Sequence, residues 1–323
     1  MLVRRHLLAL AAAPLLARPA LAAGYPERPI RLIVPYAPGG NSDTTARIVA
    51  PRMAEKLGQP IVVENRAGAG GSVGALQVAR LRADGYTMLL GSNGPLTVNP
   101  SLQRNLQYDP IADFAPIGMA VRTPQTVVVH KDFPARTLPE LIALAKQRRN
   151  VTCGSSGTGS VSHLTIEAFN AATGAELQHV PYGSGGAMTP DLVAGNINAA
   201  VTEISTALPL HRDGQVRILG LAAAQRSALA PEIPTVEEGG VAGFRAAAFV
   251  GFVLPANPPA EAVAALQAAL QEALADAAVR RRLQELGSDV AGPEDASAAG
   301  FSAFLRQELA QTRTLAERAG LRQ

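Results

Sequence analysis

The sequence predicts a two-lobed α/β protein whose lobes face each other across a ligand cleft. Three observations predict it. Short apolar runs alternate with amphipathic helical stretches along most of the chain, the rhythm of βαβ units with helices on both sheet faces. The chain has 323 residues, long for one domain and comfortable for two. Finally, VPYAPGG at 34–40 returns as VPYGSGG at 180–186, each time at the end of an expected strand.

The first lobe opens with the apolar strand RLIV (31–34). TTARIVAPRMAEKLG follows as a helix with Val49, Met53 and Leu57 on one face and Gly58 as its stop. Pro51 inside it is expected to kink the helix or set its second half apart. IVVEN (61–65), a glycine-rich turn, a helix from about Ser72 to Arg82 and YTMLL (86–90) complete a βαβαβ unit, which implies a parallel sheet.

The rhythm then repeats. Thr137 and Glu140 form a capping box for the helix LPELIALAKQRR. The strand NVTC, the helix SHLTIEAFNAATG, the strand LQHV, a helix through PDLVAG and the strands INAAV and RILGLAA follow in order. Beyond PTVEEGGVAGF the strand FVGFVLP leads into alanine-rich helices to the end of the chain, read as a helical flank packed on a sheet.

Composition excludes several classes. With 47% hydrophobic and 17% charged residues the chain is globular rather than disordered. Its formal charge of +3 gives no nucleic-acid footprint, because the arginines are scattered and the lysines are only Lys56, Lys131 and Lys146. The first 23 residues read as a signal peptide, with Arg4 and Arg5, an apolar run, and Ala20 and Ala22 around a small-residue cleavage site. The arginine pair admits the twin-arginine route as well as the general secretory one. Its loss leaves 26 basic against 26 acidic side chains. No later apolar stretch reaches the roughly 18 residues of a membrane span. The one cysteine, Cys153, excludes an intrachain disulfide, and is read as a small buried hydrophobe before a nucleophile.

The repeated loops carry the functional signal. Gly39, Gly40, Gly185 and Gly186 allow positive φ and close approach of a ligand to the backbone. The first-turn amides of the helices behind them have no intrahelical partner and sit at the positive end of a helix dipole. Such a pair of loops binds carboxylate or phosphate without arginine or lysine. Asp43 alone is read as a helix cap before a ligand. GSNGP (91–95) and GSSGTGSVSH (154–163) add hydroxyls at strand ends: Ser92, Ser155 and Ser156 as carboxylate donors, with Ser160 or Ser162 equally readable as a helix cap. His163 is read as structural rather than catalytic.

Catalytic and cofactor readings lack their motifs. No phosphate-binding G-x-x-x-x-G-K-[ST] occurs, and RAGAGGSVG (66–74) has Val73 where a dinucleotide loop needs its third glycine. There is no G-x-S-x-G elbow and no metal-ligand spacing among the histidines. A secreted hydrolase using Cys153, Ser155 or Ser156 with His163 is the alternative kept open; a binding protein without cofactor or metal is the reading.

In this order, YPERPIRLIVPYAPGGNSDTTAR, GQPIVVENRAGAGGSVGA, DGYTMLLGS, YDPIADFAPIG, VTCGSSGTGSVSHL, VPYGSGGAMTPDLVAGNINAAV and PEIPTVEEGG span nearly the whole mature chain. Together they resemble the extracytoplasmic solute receptors of tripartite tricarboxylate transporters, often called Bug proteins. The resemblance implies a type II-like periplasmic-binding-protein fold: two doubly wound sheets with a cleft between them, lobe 1 from 24–123 plus 249–323 and lobe 2 from 124–248. It implies a monomer in the periplasm that closes on a small carboxylate and delivers it to a membrane permease, or serves as the ligand-sensing partner of a signalling system. Carried over by motif, lobe 1 supplies Tyr36, Ala37, Pro38, Gly39, Gly40, Asp43, Ser92 and Asn93. Lobe 2 supplies Ser155, Ser156, Gly157, Ser160, His163, Gly183, Ser184 and Asp191, with Glu203 reading the ligand's far end. Two departures stand out: Pro51 within the first helix, and Phe249 where the family commonly has tryptophan.

Overall fold

The computed structural model describes residues 24–147 and 150–318; the signal peptide read from the first 23 residues lies outside them. In chain order the first part holds β1 (Ile30–Val34), α1 (Asn41–Leu57), β2 (Ile61–Asn65), α2 (Ser72–Ala79), β3 (Thr87–Ser92) and α3 (Asn99–Leu102). A 17-residue strand, β4 (Phe114–His130), leads into α4 (Leu138–Gln147), β5 (Thr152–Ser155), α5 (Val161–Thr173), β6 (Gln178–Pro181) and α6 (Gly185–Ala194). β7 (Ala199–Glu203), α7 (Ile204–Arg212), β8 (Val216–Leu221) and β9 (Ala247–Pro255) follow, then α8 (Ala260–Ala275), α9 (Ala277–Glu285), β10 (Asp289–Val290) and α10 (Ala298–Arg318).

The expected parallel units exist. β1 pairs in parallel with β2 and β3 in one lobe, and β5 with β6 and β7 in the other. Between these parallel units the centre is antiparallel, with β4 and β9 running against their neighbours. β4 belongs to both lobes: Phe114 to Pro124 pairs with β9, and from Gln125 onward it pairs with β7 and β8. The two sheets are thereby joined through one strand.

The handover at Pro124 and Gln125 is held by main-chain bonds. Gln125 N–H donates to Ala246 O at 2.9 Å, Ala246 N–H to Ala222 O at 3.0 Å and Ala222 N–H to Gln125 O at 2.8 Å. β4 and β9 lie side by side at this handover between the lobes.

Each lobe has its own core. One cluster packs Leu32, Met53, Leu89, Phe252, Leu266 and Phe301 around the first sheet. Beyond the handover the period-2 alternation of β4 splits the core. Val127 and Val129 face Leu141, Cys153 and Phe169, whereas Val128 faces Met188, Ile204 and Leu208. Cys153 is fully enclosed, and burial pushes its thiol pKa up, away from the nucleophilic form.

Local expectations meet one correction. α1 runs unbroken through Pro51 from Asn41 to Leu57; the ring falls on an exposed turn, where the lost N–H leaves a carbonyl that water can serve. At α4 the expected capping box forms, with Glu140 N–H donating to Thr137 Oγ1 at 3.4 Å and the Glu140 carboxylate accepting from the Thr137 amide and, at 2.7 Å, from that of Arg136. Among the described residues no single helix is long and apolar enough to cross a membrane.

Candidate ligand-binding cleft

The two copies of V-P-Y-x-x-G-G meet face to face. Ala37 N–H donates to Gly183 O at 3.1 Å, and Ser184 Oγ donates to Pro38 O at 3.3 Å. A Cβ on Gly186 would fall 2.6 Å from the carbonyl carbon and oxygen of Gly39. Gly39 and Gly186 therefore let two backbones touch across the lobes, while Gly40 and Gly185 line the space beside that contact. Of the four, only Gly39 uses a positive φ, at +84°. A second such contact lies beside it: a Cβ on Gly70 would fall 2.4 Å from Thr158 O, and one on Gly159 would fall 1.9 Å from Asn99 Oδ1.

Inside this contact lies a small cleft. It is lined by Tyr36, Gly40, Asn41, Ser42, Ser92, Asn93 and Gly94 from one lobe, with Ala248 and Phe249 from β9. Ser156, Ser160, Val161, Ser184, Gly185 and Glu203 line it from the other. The starts of α1, α5 and α6 converge here, and Glu203 is the N-cap residue of α7. Gly40, at the head of α1, offers no side-chain cap, so the first-turn amides behind it keep their donor capacity. At α6 the Ser184 hydroxyl caps Ala187 N–H, and the Gly185 amide has no intrahelical partner. Three helix dipoles thus point their positive ends at one space.

Among the described residues, no arginine, lysine or histidine lines the cleft. Tyr36 closes one side, its hydroxyl donating to Gly70 O at 3.2 Å and lying 3.4 Å from Ser92 Oγ. Burial pushes that phenol up to about 12, so it stays a neutral donor. Asn93 fixes β3 to β9, its Oδ1 accepting from Phe249 N–H at 2.8 Å and its Nδ2 donating to Ala247 O at 3.3 Å.

The structure brings Tyr36, Gly40, Ser92, Asn93, Ser156, Ser160, Ser184 and Glu203 together at the cleft and sets the other candidates around it. Ala37, Pro38, Gly39 and Gly183 make the contact between lobes. Asp43 braces the first loop from behind, accepting from Gly39 N–H, Asn65 Nδ2 and Arg47. Burial raises its pKa, but these partners outweigh burial and hold it below the usual carboxylate range. Asp191 serves α6 in the same way, accepting from Tyr182 Oη at 2.7 Å and Asn196 Nδ2 at 2.9 Å. Gly157 (φ +121°) lies beside Tyr182 O in the neighbouring turn.

Asn41, Ser42, Gly94, Val161, Ala248 and Phe249 line the cleft without having been singled out as ligands, and Gly185 lines it as a glycine of the repeated loop. The signal for Asn41 and Ser42 was present: they are the first helical residues after the glycine pair.

The 154–163 loop is satisfied within itself. Ser156 N–H donates to Ser162 Oγ, Gly157 N–H to Ser155 Oγ, Gly159 N–H to His163 Nδ1, and His163 N–H to Ser160 Oγ. Ser155 is fully buried and lies 2.6 Å from His179 Nε2. Among the described residues, none of Cys153, Ser155 or Ser156 has a side-chain hydrogen bond to His163, whose ring instead stacks on His179 at 4.1 Å. The nucleophile–base pairs of the hydrolase reading are absent from this arrangement.

Residues 45–321 match the model of the tripartite tricarboxylate transporter family receptor. The chain belongs to that family. BugT of Bordetella pertussis is 37% identical over 242 residues, 74% of each chain. The solved periplasmic binding protein BugD superposes with a TM-score of 0.89 at 33% identity, covering 92% of this chain and 99% of that one. MatC from Rhodopseudomonas palustris, solved with bound malate, gives a TM-score of 0.87 at 32% identity over 90% of this chain and 99% of that one.

In this tripartite tricarboxylate transporter receptor the stacked histidines set an acid limit. Burial lowers both imidazoles, and His163 adds to the effect on His179, which falls from 6.5 to about 4. The unfolded chain takes up these protons near 6.5 while the native state still refuses them, so stability falls as pH drops from about 6.5 towards 4. His179→Gln removes one titrating partner. Its melting temperature is expected to fall less steeply over that window than the wild type's. Parallel profiles would show that the pair does not govern acid stability.

Proposed function

We propose that this protein is a periplasmic solute receptor that closes two lobes, 24–123 plus 249–323 and 124–248, on a small organic carboxylate. It passes the cargo, unchanged, to the membrane permease of a tripartite transporter and works as a monomer. One observation carries the reading: the uncapped or partly capped starts of α1 and α6 face each other across a cleft without cationic side chains. Backbone amides and helix dipoles suit one carboxylate, and they hold it without the covalent or acid–base groups that would transform it. The malate held by the related MatC supports the ligand class.

Closure follows from the same geometry. Open and closed forms interconvert by rotation at Pro124–Gln125 and Ala247, and a ligand touching both loops stabilises the closed one. A thermal-shift screen of the mature protein against mono-, di- and tricarboxylates, aromatic acids and amino acids tests the reading. Ligand that binds only the folded form raises the melting temperature in step with its concentration over its Kd. The expected result is a shift with a carboxylate that is then recovered intact; consumption of the acid, or no shift with any carboxylate, would contradict it.

A further inference from the structure

One corner of the cleft is chemically unlike the rest. Glu203, at the end of β7, lines it and is 7% exposed, yet among the described residues no cationic side chain lines the cleft with it. The Glu203 carboxylate receives the Thr202 hydroxyl at 3.3 Å, with its own backbone N–H and the Gln125 side chain as its other neutral partners. Burial raises its pKa. Asn41, 6% exposed and lining the same cleft, accepts through Oδ1 from Ser205 Oγ at 3.1 Å and Thr123 Oγ1 at 3.4 Å, while its buried Nδ2 has no partner. Gln125, paired with Glu203 across β4 and β7, is also buried and turns its side-chain amide towards the Glu203 carboxylate.

Buried polar atoms without partners are rare, and a ligand is one of the things that satisfies them. Here a buried carboxyl with only neutral partners lies in the same cleft as a free amide N–H donor at Asn41. This combination suits a group that donates to Glu203, and it opposes a second carboxylate, whose charge would be set beside a buried acid with no cation to offset either.

We propose that Glu203 selects the far end of the cargo: the receptor takes an acid whose other end carries a hydrogen-bond donor (hydroxyl, primary amide or ammonium) and disfavours the matching dicarboxylate. The inference rests on the carboxylate-receptor reading, with the first carboxylate at the α1 and α6 starts. Asn41 Nδ2 then donates to an oxygen of a hydroxyl or amide end group, which accounts for its lack of a partner.

Calorimetric titration of the mature protein with succinate, succinamate, γ-hydroxybutyrate and γ-aminobutyrate tests it, because these differ chiefly in the end group. The donor-ended acids are expected to bind at least about tenfold more tightly than succinate, the lower end of a like-charge penalty. Glu203→Gln, first checked by its melting transition, is expected to narrow that gap by tightening succinate. If the variant does not fold, the wild-type ranking still decides. Succinate binding as tightly as the donor-ended acids would overturn the inference while leaving the receptor reading intact. A wild type that binds none of these acids, nor any carboxylate in the wider screen, would overturn both.

Discussion

Replacing Gly186 by alanine is expected to weaken carboxylate binding by about tenfold to a hundredfold while leaving the unliganded protein folded. The new Cβ would fall 2.6 Å from the Gly39 carbonyl carbon and oxygen, and 3.0 Å from its Cα. All three are backbone atoms, so no side chain can rotate out of the way. Gly186 is the second residue of α6, where alanine is the better helix former. Lobe 2 therefore gains intrinsically from the change, and the clash is felt only when the loops meet. Overpacking of this kind costs roughly 1–3 kcal/mol, which sets the range of lost affinity if ligand binds the closed form alone. Calorimetric Kd values, read beside the melting temperature of the unliganded protein, check it. An unchanged Kd would mean that the facing loops need not touch for the site to form.

Phe301→Ala is expected to cost about 3–5 kcal/mol of stability, the range for removing a buried aromatic side chain. Phe301 is fully buried on α10, and a Cβ on Gly251 of β9 would fall 2.3 Å from its ring. Its ring meets Phe249 edge-on at 5.9 Å and lies 6.3 Å from Phe304. Phe249 in turn lines the cleft, so the lost packing removes support from the cleft wall as well as from the core. Leu315→Ala, on the same helix but 41% exposed, is expected to stay within about 1 kcal/mol of wild type. Urea unfolding of both variants checks the contrast; equal losses would show that α10 is not anchored through Phe301.

The βα units and the loop repeat were legible because both are local. RLIV, IVVEN and YTMLL announce their strands by apolar runs of strand length, and V-P-Y-x-x-G-G announces two equivalent turns. β4 was not legible as a strand. It carries Pro116, Gly118 and Pro124, its register shifts twice against β9, and its partners β7, β8 and β9 lie far along the chain. Antiparallel pairing across two lobes leaves no mark in a window of ten residues or so. α7 was hidden because Pro209 sits inside it and it begins directly at the end of β7.

The candidate residues divide for a related reason. Motif position marks a loop, but burial decides which atoms of the loop reach the cleft. Asp43 and Asp191 follow the two glycine pairs in sequence, and both turn to bracing their own loops through Arg47, Asn65, Tyr182 and Asn196. Asn41 and Ser42, one step from the glycines, line the cleft instead.

The central claim is that facing helix starts hold the carboxylate through their amides. An amide-resolved NMR titration, with the acid that raises the melting temperature most, tests it directly. The account predicts the largest shifts at the Asn41, Ser42, Ser184 and Gly185 amides, from both lobes together. Shifts confined to one lobe, or centred on surfaces outside the cleft, would contradict it.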